Sequence, residues 1–129
     1  MTTRRFILGA LAAAPLLFGT AANAAEAVFS PKAFEAAQKA GKPILVHVTA
    51  PWCTVCAAQK PILAKLEAQP RFKDLQVFDV DFDSRKDVLK RFGVTRQSTL
   101  ITFKGEKETG RSVGDTQPEW IEGAVEKAL

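Results

Sequence analysis

Apolar and polar residues along the chain follow two different periods, which predict strands and helices in alternation. A continuous apolar run at 43–49 (PILVHVT) is typical of a strand that is buried on both faces. The run at 75–82 (LQVFDVDF) alternates in the manner of a second strand. Two further runs, 99–103 and 109–113, flank a turn that contains Gly105, so they predict an antiparallel hairpin.

Capping and helix-breaking residues predict the first two helices. Ser30 and Pro31 suit the start of a short helix, which Gly41 ends. The second helix follows the first strand at once and reaches about Ala68, and Pro61 inside it predicts a kink.

The C-terminal half has signals for two more helices. Ser84 is expected to cap a helix that reaches about Arg91, with Gly93 ending it. The segment 116–119 (TQPE) resembles a capping box that opens the last helix. This alternation predicts an α/β fold with a central sheet flanked by helices.

The first 24 residues have the pattern of an export signal. Arg4 and Arg5 precede an apolar run at 6–18, and small residues follow at 22–24 (ANA), so cleavage is expected near Ala24. The paired arginines resemble the twin-arginine export motif, and general secretory export is the alternative. An uncleaved membrane anchor is a third alternative, although the apolar run is short for a span. We therefore predict a signal peptide at 1–24, one domain at 25–129 and a periplasmic location.

Charge and cysteine count narrow the function classes. Loss of the two arginines of the signal lowers the formal net charge from +4 to +2, so nucleic-acid binding has no support. The chain has two cysteines, Cys53 and Cys56, which open the helix that follows the first strand. Such a position places two sulfurs one helical turn apart and favours the thiolate of the first.

The spacing of the two cysteines is compatible with three interpretations. It can be a redox-active dithiol, a structural staple or half of a metal site. A staple gains little from so small a loop, because the entropy that a disulfide removes from the unfolded chain grows with loop length. A metal site would have only His47 as a nitrogen ligand, since the chain has one histidine.

The sequence resembles the thioredoxin family at several separate places. These are 52–56 (WCTVC), Pro61, 92–94 (FGV), 99–105 (TLITFKG) and 113–114 (VG). The resemblance implies a thioredoxin-like fold with a mixed sheet, and thiol-disulfide exchange without a cofactor. It also implies that Cys53 is the nucleophile and Cys56 the resolving thiol. Trp52 would shield the dithiol and offer an apolar surface to partner chains.

One departure from the family lies in the loop before the hairpin. Ser98, preceded by Gln97, stands where the family usually has a cis proline that faces the dithiol. A cis bond before a residue other than proline costs about 2.5–4 kcal/mol, so a trans bond is predicted. Ser98 brings an N–H and a hydroxyl that could alter substrate docking or bond a cysteine sulfur, and simple drift of the loop is the alternative.

A second departure places His47 where thioredoxins commonly bury an aspartate. An imidazole could relay protons to the resolving cysteine in the same way. Asp79 occupies a position where many relatives have a lysine, which suggests that acid and base have exchanged strands. A histidine that is merely hydrogen-bonded in the core is the alternative.

A third departure bears on the direction of electron flow. The dipeptide Thr54-Val55 lacks the histidine of strongly oxidising disulfide catalysts, and 49–56 (TAPWCTVC) resembles the relay domain of transmembrane disulfide reductases. We therefore expect a monomer that reduces or isomerises disulfides of exported proteins, with a membrane disulfide reductase as a candidate partner. A non-enzymatic module that binds Cu(I) or Zn(II) through the two cysteines is the alternative function.

Aromatic residues recur at helix and strand spacings, which is typical of a hydrophobic core. The predicted core residues are Phe29, Phe34, Phe72, Phe78, Phe82, Phe92, Phe103 and Trp120.

Overall fold

A computed structural model describes residues 24–129 and shows alternating strands and helices. The helices are α1 (Pro31–Lys39), α2 (Thr54–Glu67), α3 (Lys86–Phe92) and α4 (Pro118–Glu126), with a short 3₁₀ turn at Pro70–Phe72. The strands are β1 (Ala25–Val28), β2 (Pro43–Thr49), β3 (Gln76–Asp81), β4 (Thr99–Lys104) and β5 (Lys107–Val113).

The strands form one mixed sheet in the order β1-β3-β2-β4-β5. β1 and β2 both run parallel to β3, whereas β4 runs antiparallel to β2 and to β5. Strand β2 is therefore paired along both edges, which agrees with its continuous apolar sequence. The predicted α/β fold with a central mixed sheet and flanking helices is confirmed.

The sheet separates two hydrophobic cores, and successive residues of β2 point into one or the other. Ile44, Val46 and Val48 belong to the core that contains Phe34. Leu45 belongs to the opposite core, which the α2 and α4 residues fill. Full burial of each such side chain contributes about 1.5–3 kcal/mol, so the two cores hold β2 in place from both faces.

Several predicted boundaries are confirmed by local geometry. The Ser30 hydroxyl accepts from the Ala33 N–H at 3.4 Å and caps α1. Gly93 ends α3 with a φ of +63°, a left-handed conformation that glycine adopts without a steric penalty. Pro61 lies inside α2, as predicted.

The sequence pattern missed the edge strand and misplaced one cap. All residues of β1 are exposed, so no alternation of apolar and polar residues marks the strand. Ser84 does not cap α3, because it lies one residue before the N-cap, in a turn where its own N–H and that of Asp83 bond to the Asp81 carboxylate, at 3.3 and 2.8 Å. The N-cap of α3 is Arg85, without a side-chain bond.

The last helix also differs from its prediction. Gln117 is the N-cap of α4 and makes no capping bond with its side chain, so the predicted capping box does not form. Trp120 was expected in the core but is 66% exposed, because α4 buries Ile121 and Val125 instead. The seven predicted core phenylalanines are buried or partly buried in the cores.

The predicted signal peptide lies outside the described residues except for Ala24. Its cleavage site, its export route, the domain boundary and the periplasmic location therefore stay predictions. Within residues 24–129, no helix combines the length and the apolar character needed to cross a bilayer.

Candidate active site at the dithiol

The two cysteines lie at the start of α2, directly after the end of β2. Cys53 is the N-cap residue, and its Sγ accepts from the Cys56 backbone N–H at 3.1 Å. The two residues form a disulfide with a Cα–Cα distance of 5.3 Å. Because the positive end of the helix dipole faces Cys53, negative charge on this sulfur is favoured once the disulfide is reduced.

Exposure differs between the two cysteines and their neighbour. Cys53 is 4% exposed and Cys56 is 1% exposed, whereas Trp52 is 57% exposed. The Trp52 indole donates to the Asp83 carboxylate at 2.8 Å and packs edge-on against Phe82, with ring centroids 6.4 Å apart. Trp52 is therefore a fixed apolar surface next to a sulfur that only a closely fitting partner can reach.

Ser98 lies next to the dithiol in a constrained conformation. Among residues 24–129 no peptide bond is cis, so the predicted trans bond before Ser98 is confirmed. The φ of Ser98 is +60°, and its N–H donates to the Val48 carbonyl at 2.8 Å. The Cys56 Sγ lies 3.9 Å from the same carbonyl oxygen. Proline could not form this arrangement, since it lacks the N–H and has a fixed negative φ.

The Ser98 hydroxyl donates to the neighbouring Gln97 carbonyl at 2.5 Å. The proposed bond from this hydroxyl to a cysteine sulfur is therefore not formed in the disulfide state. Gln97 is partly buried on the same loop, while Arg96 is exposed.

His47 and Asp79 are brought together by the pairing of β2 with β3. The two residues are partners in the parallel register, and the His47 Nδ1 lies 3.6 Å from the Asp79 carboxylate. The other ring nitrogen, Nε2, lies 3.0 Å from the Gln59 Oε1. His47 is therefore held between a carboxylate on β3 and an amide on α2, one helical turn beyond Cys56.

The sequence profile of the Thioredoxin family matches residues 25–127. The chain belongs to the thioredoxin family. It is accordingly a thiol-disulfide oxidoreductase, and Cys53 and Cys56 are its Cys-x-x-Cys pair.

Curated relatives and solved structures agree with this assignment. The chain is 31% identical over 88 residues to an H-type thioredoxin of Fagopyrum esculentum, a match that covers 68% of this chain and 74% of that protein. It is 36% identical over 105 residues to the protein disulfide-isomerase erp38 of Neurospora crassa, but spans only 28% of it. The crystal structure of Trxlp from Edwardsiella tarda is 43% identical, with a TM-score of 0.74 and coverage of 78% and 98%.

A cavity of about 220 Å³ opens beside His47 in this thioredoxin-family protein. Its charged lining residues are Glu26, Lys60, Glu67 and Asp79. Burial raises the pKa of Glu67 to about 7, and the charges of Glu26 and Asp79 add to this effect. The cavity therefore holds a carboxyl that exchanges a proton near neutral pH.

The carboxyl groups of Glu26 and Asp79 form a hydrogen bond in the same cavity, which requires a proton on one of them. A hydrogen bond with Asp79 raises the pKa of Glu26, and burial contributes to the increase. Burial alone would raise the pKa of Asp79, but hydrogen bonds with His47 and Glu26 outweigh it and leave this pKa lowered. Asp79 is thus the ionised partner, to which the Glu26 carboxyl offers a proton.

Glu26, Glu67 and Gln59 are among the residues of this site that were not predicted from the sequence. Glu26 and Glu67 lie in segments without a distinct motif, and only the paired fold brings them to His47. Gln59 did carry a signal, since it interrupts the buried stripe of α2 formed by Cys56, Leu63 and Leu66. A polar residue in an apolar stripe indicates a specific hydrogen-bond partner inside the fold.

No group of three or more histidine, cysteine, aspartate or glutamate side chains in residues 24–129 is arranged to hold a metal ion. A soft metal would therefore have the sulfurs of Cys53 and Cys56 as its ligands from this chain, which is the arrangement that the alternative function assumes.

We predict that Ser98→Pro destabilises the protein by more than about 1 kcal/mol. The change removes the N–H that donates to Val48 and is incompatible with a φ of +60°. Urea unfolding of the oxidised protein measures the effect, with Ser98→Ala as the control that keeps the backbone N–H. A Ser98→Pro variant as stable as the wild type would show that this backbone bond does not hold the loop.

We predict that Glu67→Gln stabilises the protein at pH 8 by about 1 kcal/mol. This value is smaller than the pKa change alone would give, because solvent screens the charge of the half-buried carboxyl. Between its ordinary pKa of 4.5 and about 7, Glu67 is protonated in the folded state and ionised in the unfolded state. The folded state then binds more protons, so the free energy of unfolding falls as the pH rises through this window.

Urea unfolding from pH 4 to pH 8 measures this dependence on Glu67. The gain should disappear below about pH 4.5, where the wild-type side chain is protonated in both states. The exposed Glu106 provides the matched control Glu106→Gln. An equal gain for both variants at every pH would contradict the assignment.

Proposed function

We propose that this oxidoreductase is exported and transfers electrons to disulfides of exported proteins, in the reducing or isomerising direction. The single observation that carries the exchange chemistry of this proposal is the placement of Cys53 at the N-cap of α2, where its sulfur accepts the Cys56 N–H. This placement supports a nucleophilic role for Cys53 and a resolving role for the more deeply buried Cys56.

The exchange proceeds in two steps that balance in atoms and electrons. The Cys53 thiolate attacks one sulfur of the substrate disulfide, which forms a mixed disulfide and releases one substrate thiolate. The Cys56 thiolate then attacks the Cys53 Sγ, which forms the Cys53–Cys56 disulfide and releases the second substrate thiolate. Two electrons pass from the dithiol to the substrate, and the two released thiolates take up protons.

The surroundings of Cys53 support the reducing direction. Thr54 and Val55 supply neither a charge nor an imidazole to a Cys53 thiolate. Its stabilisation then comes from the Cys56 N–H and the helix dipole. Because a stabilised reduced form is what makes a disulfide strongly oxidising, the reduction potential should lie well below the value of about −120 mV of a strong disulfide oxidase. A membrane disulfide reductase would return the protein to the dithiol form.

Trp52 and the loop of Gln97 and Ser98 are the proposed docking surface for the substrate chain. Trp52 offers exposed apolar area beside Cys53. The loop lies close to the dithiol, because the Ser98 N–H donates to the same Val48 carbonyl oxygen that the Cys56 Sγ contacts. His47 is the proposed proton acceptor for Cys56. It precedes Val48 on β2 and contacts Gln59, one helical turn beyond Cys56.

A Cys56→Ser variant tests the proposal, because the mixed disulfide at Cys53 can then no longer be resolved. We expect exported proteins to accumulate as covalent adducts at Cys53 when the variant is expressed with its signal. Mass spectrometry identifies the adducts, and reducing agents should release them. Cys53→Ser is the matched control and should give none.

Two results would count against the proposed exchange function. One is the absence of any adduct on Cys56→Ser from an exported preparation. The other is stoichiometric uptake of Cu(I) by the reduced wild-type protein together with no reduction of insulin disulfides, which would favour the metal-binding alternative.

A further inference from the structure

Gln59 is a polar side chain in the centre of an apolar helix face. It lies between Cys56 and Leu63 on α2 and is 0% exposed. Burial of an amide without hydrogen bonds is unfavourable in an apolar environment, so a buried glutamine needs partners for its oxygen and its nitrogen. Gln59 finds these partners on three different segments of the chain.

The hydrogen bonds of Gln59 fix the orientation of its amide. The Nε2 group donates to the Asp115 carbonyl at 2.9 Å and to the Ser98 carbonyl at 3.3 Å. Only the NH₂ end of the amide can donate, and its two hydrogens match the two carbonyl oxygens. A flipped amide would place its oxygen against both carbonyls, so Oε1 is left to face His47.

This orientation decides which nitrogen of His47 carries the hydrogen. Oε1 of Gln59 is an acceptor and lies 3.0 Å from the His47 Nε2, so Nε2 must be the donor. Nδ1 then lacks a hydrogen in the neutral ring, and it faces the Asp79 carboxylate at 3.6 Å.

We propose that Gln59 is a positioning residue that holds His47 in the Nε2–H tautomer and leaves Nδ1 as the nitrogen that gains and loses a proton. The proton then passes on the side of the cavity lined by Asp79, Glu26, Glu67 and Lys60. Any consequence of this tautomer for catalysis rests on the proposed role of His47 as a proton acceptor. The tautomer itself follows from the hydrogen bonds of Gln59 and is independent of that role.

The same amide connects His47 to the loop that faces the dithiol. The Ser98 carbonyl accepts from Gln59 and also from the Gly114 N–H, at 3.1 Å. Ser98 has a φ of +60°, a conformation that a residue other than glycine keeps only when its surroundings hold it. Gln59 therefore sets the position of the imidazole and of the Ser98 backbone together.

The chain has one histidine, so its ring nitrogens give an unambiguous NMR signal. We expect ¹⁵N spectra of the oxidised wild-type protein at alkaline pH, where the ring is neutral, to show a protonated Nε2 and a bare Nδ1. We also expect slow solvent exchange for both side-chain amide hydrogens of Gln59. An Nδ1–H tautomer, or rapid exchange of these hydrogens, would overturn the proposal.

A Gln59→Leu variant removes the acceptor while keeping an apolar side chain of similar size. The ring hydrogen should then shift to Nδ1, where the Asp79 carboxylate can accept it. Gln38→Leu, at a partly exposed position of α1, is the matched control and should leave the spectrum unchanged.

Each outcome bears on this proposal separately from the proposed function. An unchanged tautomer in folded Gln59→Leu would overturn the role of Gln59. If Gln59→Leu does not fold, the tautomer of His47 and the exchange rate of the Gln59 amide hydrogens in the wild-type protein still test the proposal. The spectra are recorded without substrate, so they test the tautomer alone. If the protein shows the Nε2–H tautomer but forms no mixed disulfides, the proposed function is contradicted and the inference about Gln59 stands.

Discussion

The site depends on one hydrogen bond, from the Cys56 N–H to the Cys53 Sγ at the first turn of α2. This bond makes two chemically identical residues unequal. Cys53 satisfies a helix N–H that would otherwise lack a partner, while Cys56 lies inside the turn against the Val48 carbonyl. The sheet supports the arrangement, because β2 is paired on both sides and places the start of α2 at a fixed point.

A polar chain runs through the apolar interior behind this turn. Asp79, His47 and Gln59 link β3, β2 and α2, and Gln59 continues the chain to Ser98. Such a network is favourable only when every member has its partners, since unpaired groups are costly where the local dielectric constant is low. The carboxyls of Glu26 and Glu67 join it at the cavity, where solvent can supply and remove protons.

The sequence was sufficient for features that depend on local chemistry or on strong periodicity. The apolar run of β2, the cap at Ser30 and the break at Gly93 were all predicted, and so was the trans bond before Ser98. The pair of His47 and Asp79 was a hypothesis drawn from the family resemblance, and the register of β2 with β3 places the two residues opposite each other.

Features that depend on tertiary contacts could not be predicted in this way. β1 is an exposed edge strand that is held by backbone pairing to β3, so its side chains carry no signal. The Ser84 hydroxyl was a plausible cap, but the Asp81 carboxylate holds the N–H groups of Asp83 and Ser84 in a turn that leaves Arg85 at the N-cap. Trp120 has the size of a core residue, yet the crossing of α4 over the sheet leaves it outside.

The proposed exchange chemistry requires unequal reactivity of the two cysteines, which alkylation of the reduced protein measures most directly. The protein is treated with a limiting amount of iodoacetamide at pH 7, and the modified peptides are identified by mass spectrometry. We expect the label on Cys53, with Cys56 modified only after the protein is unfolded. Equal labelling of both residues, or earlier labelling of Cys56, would contradict the account.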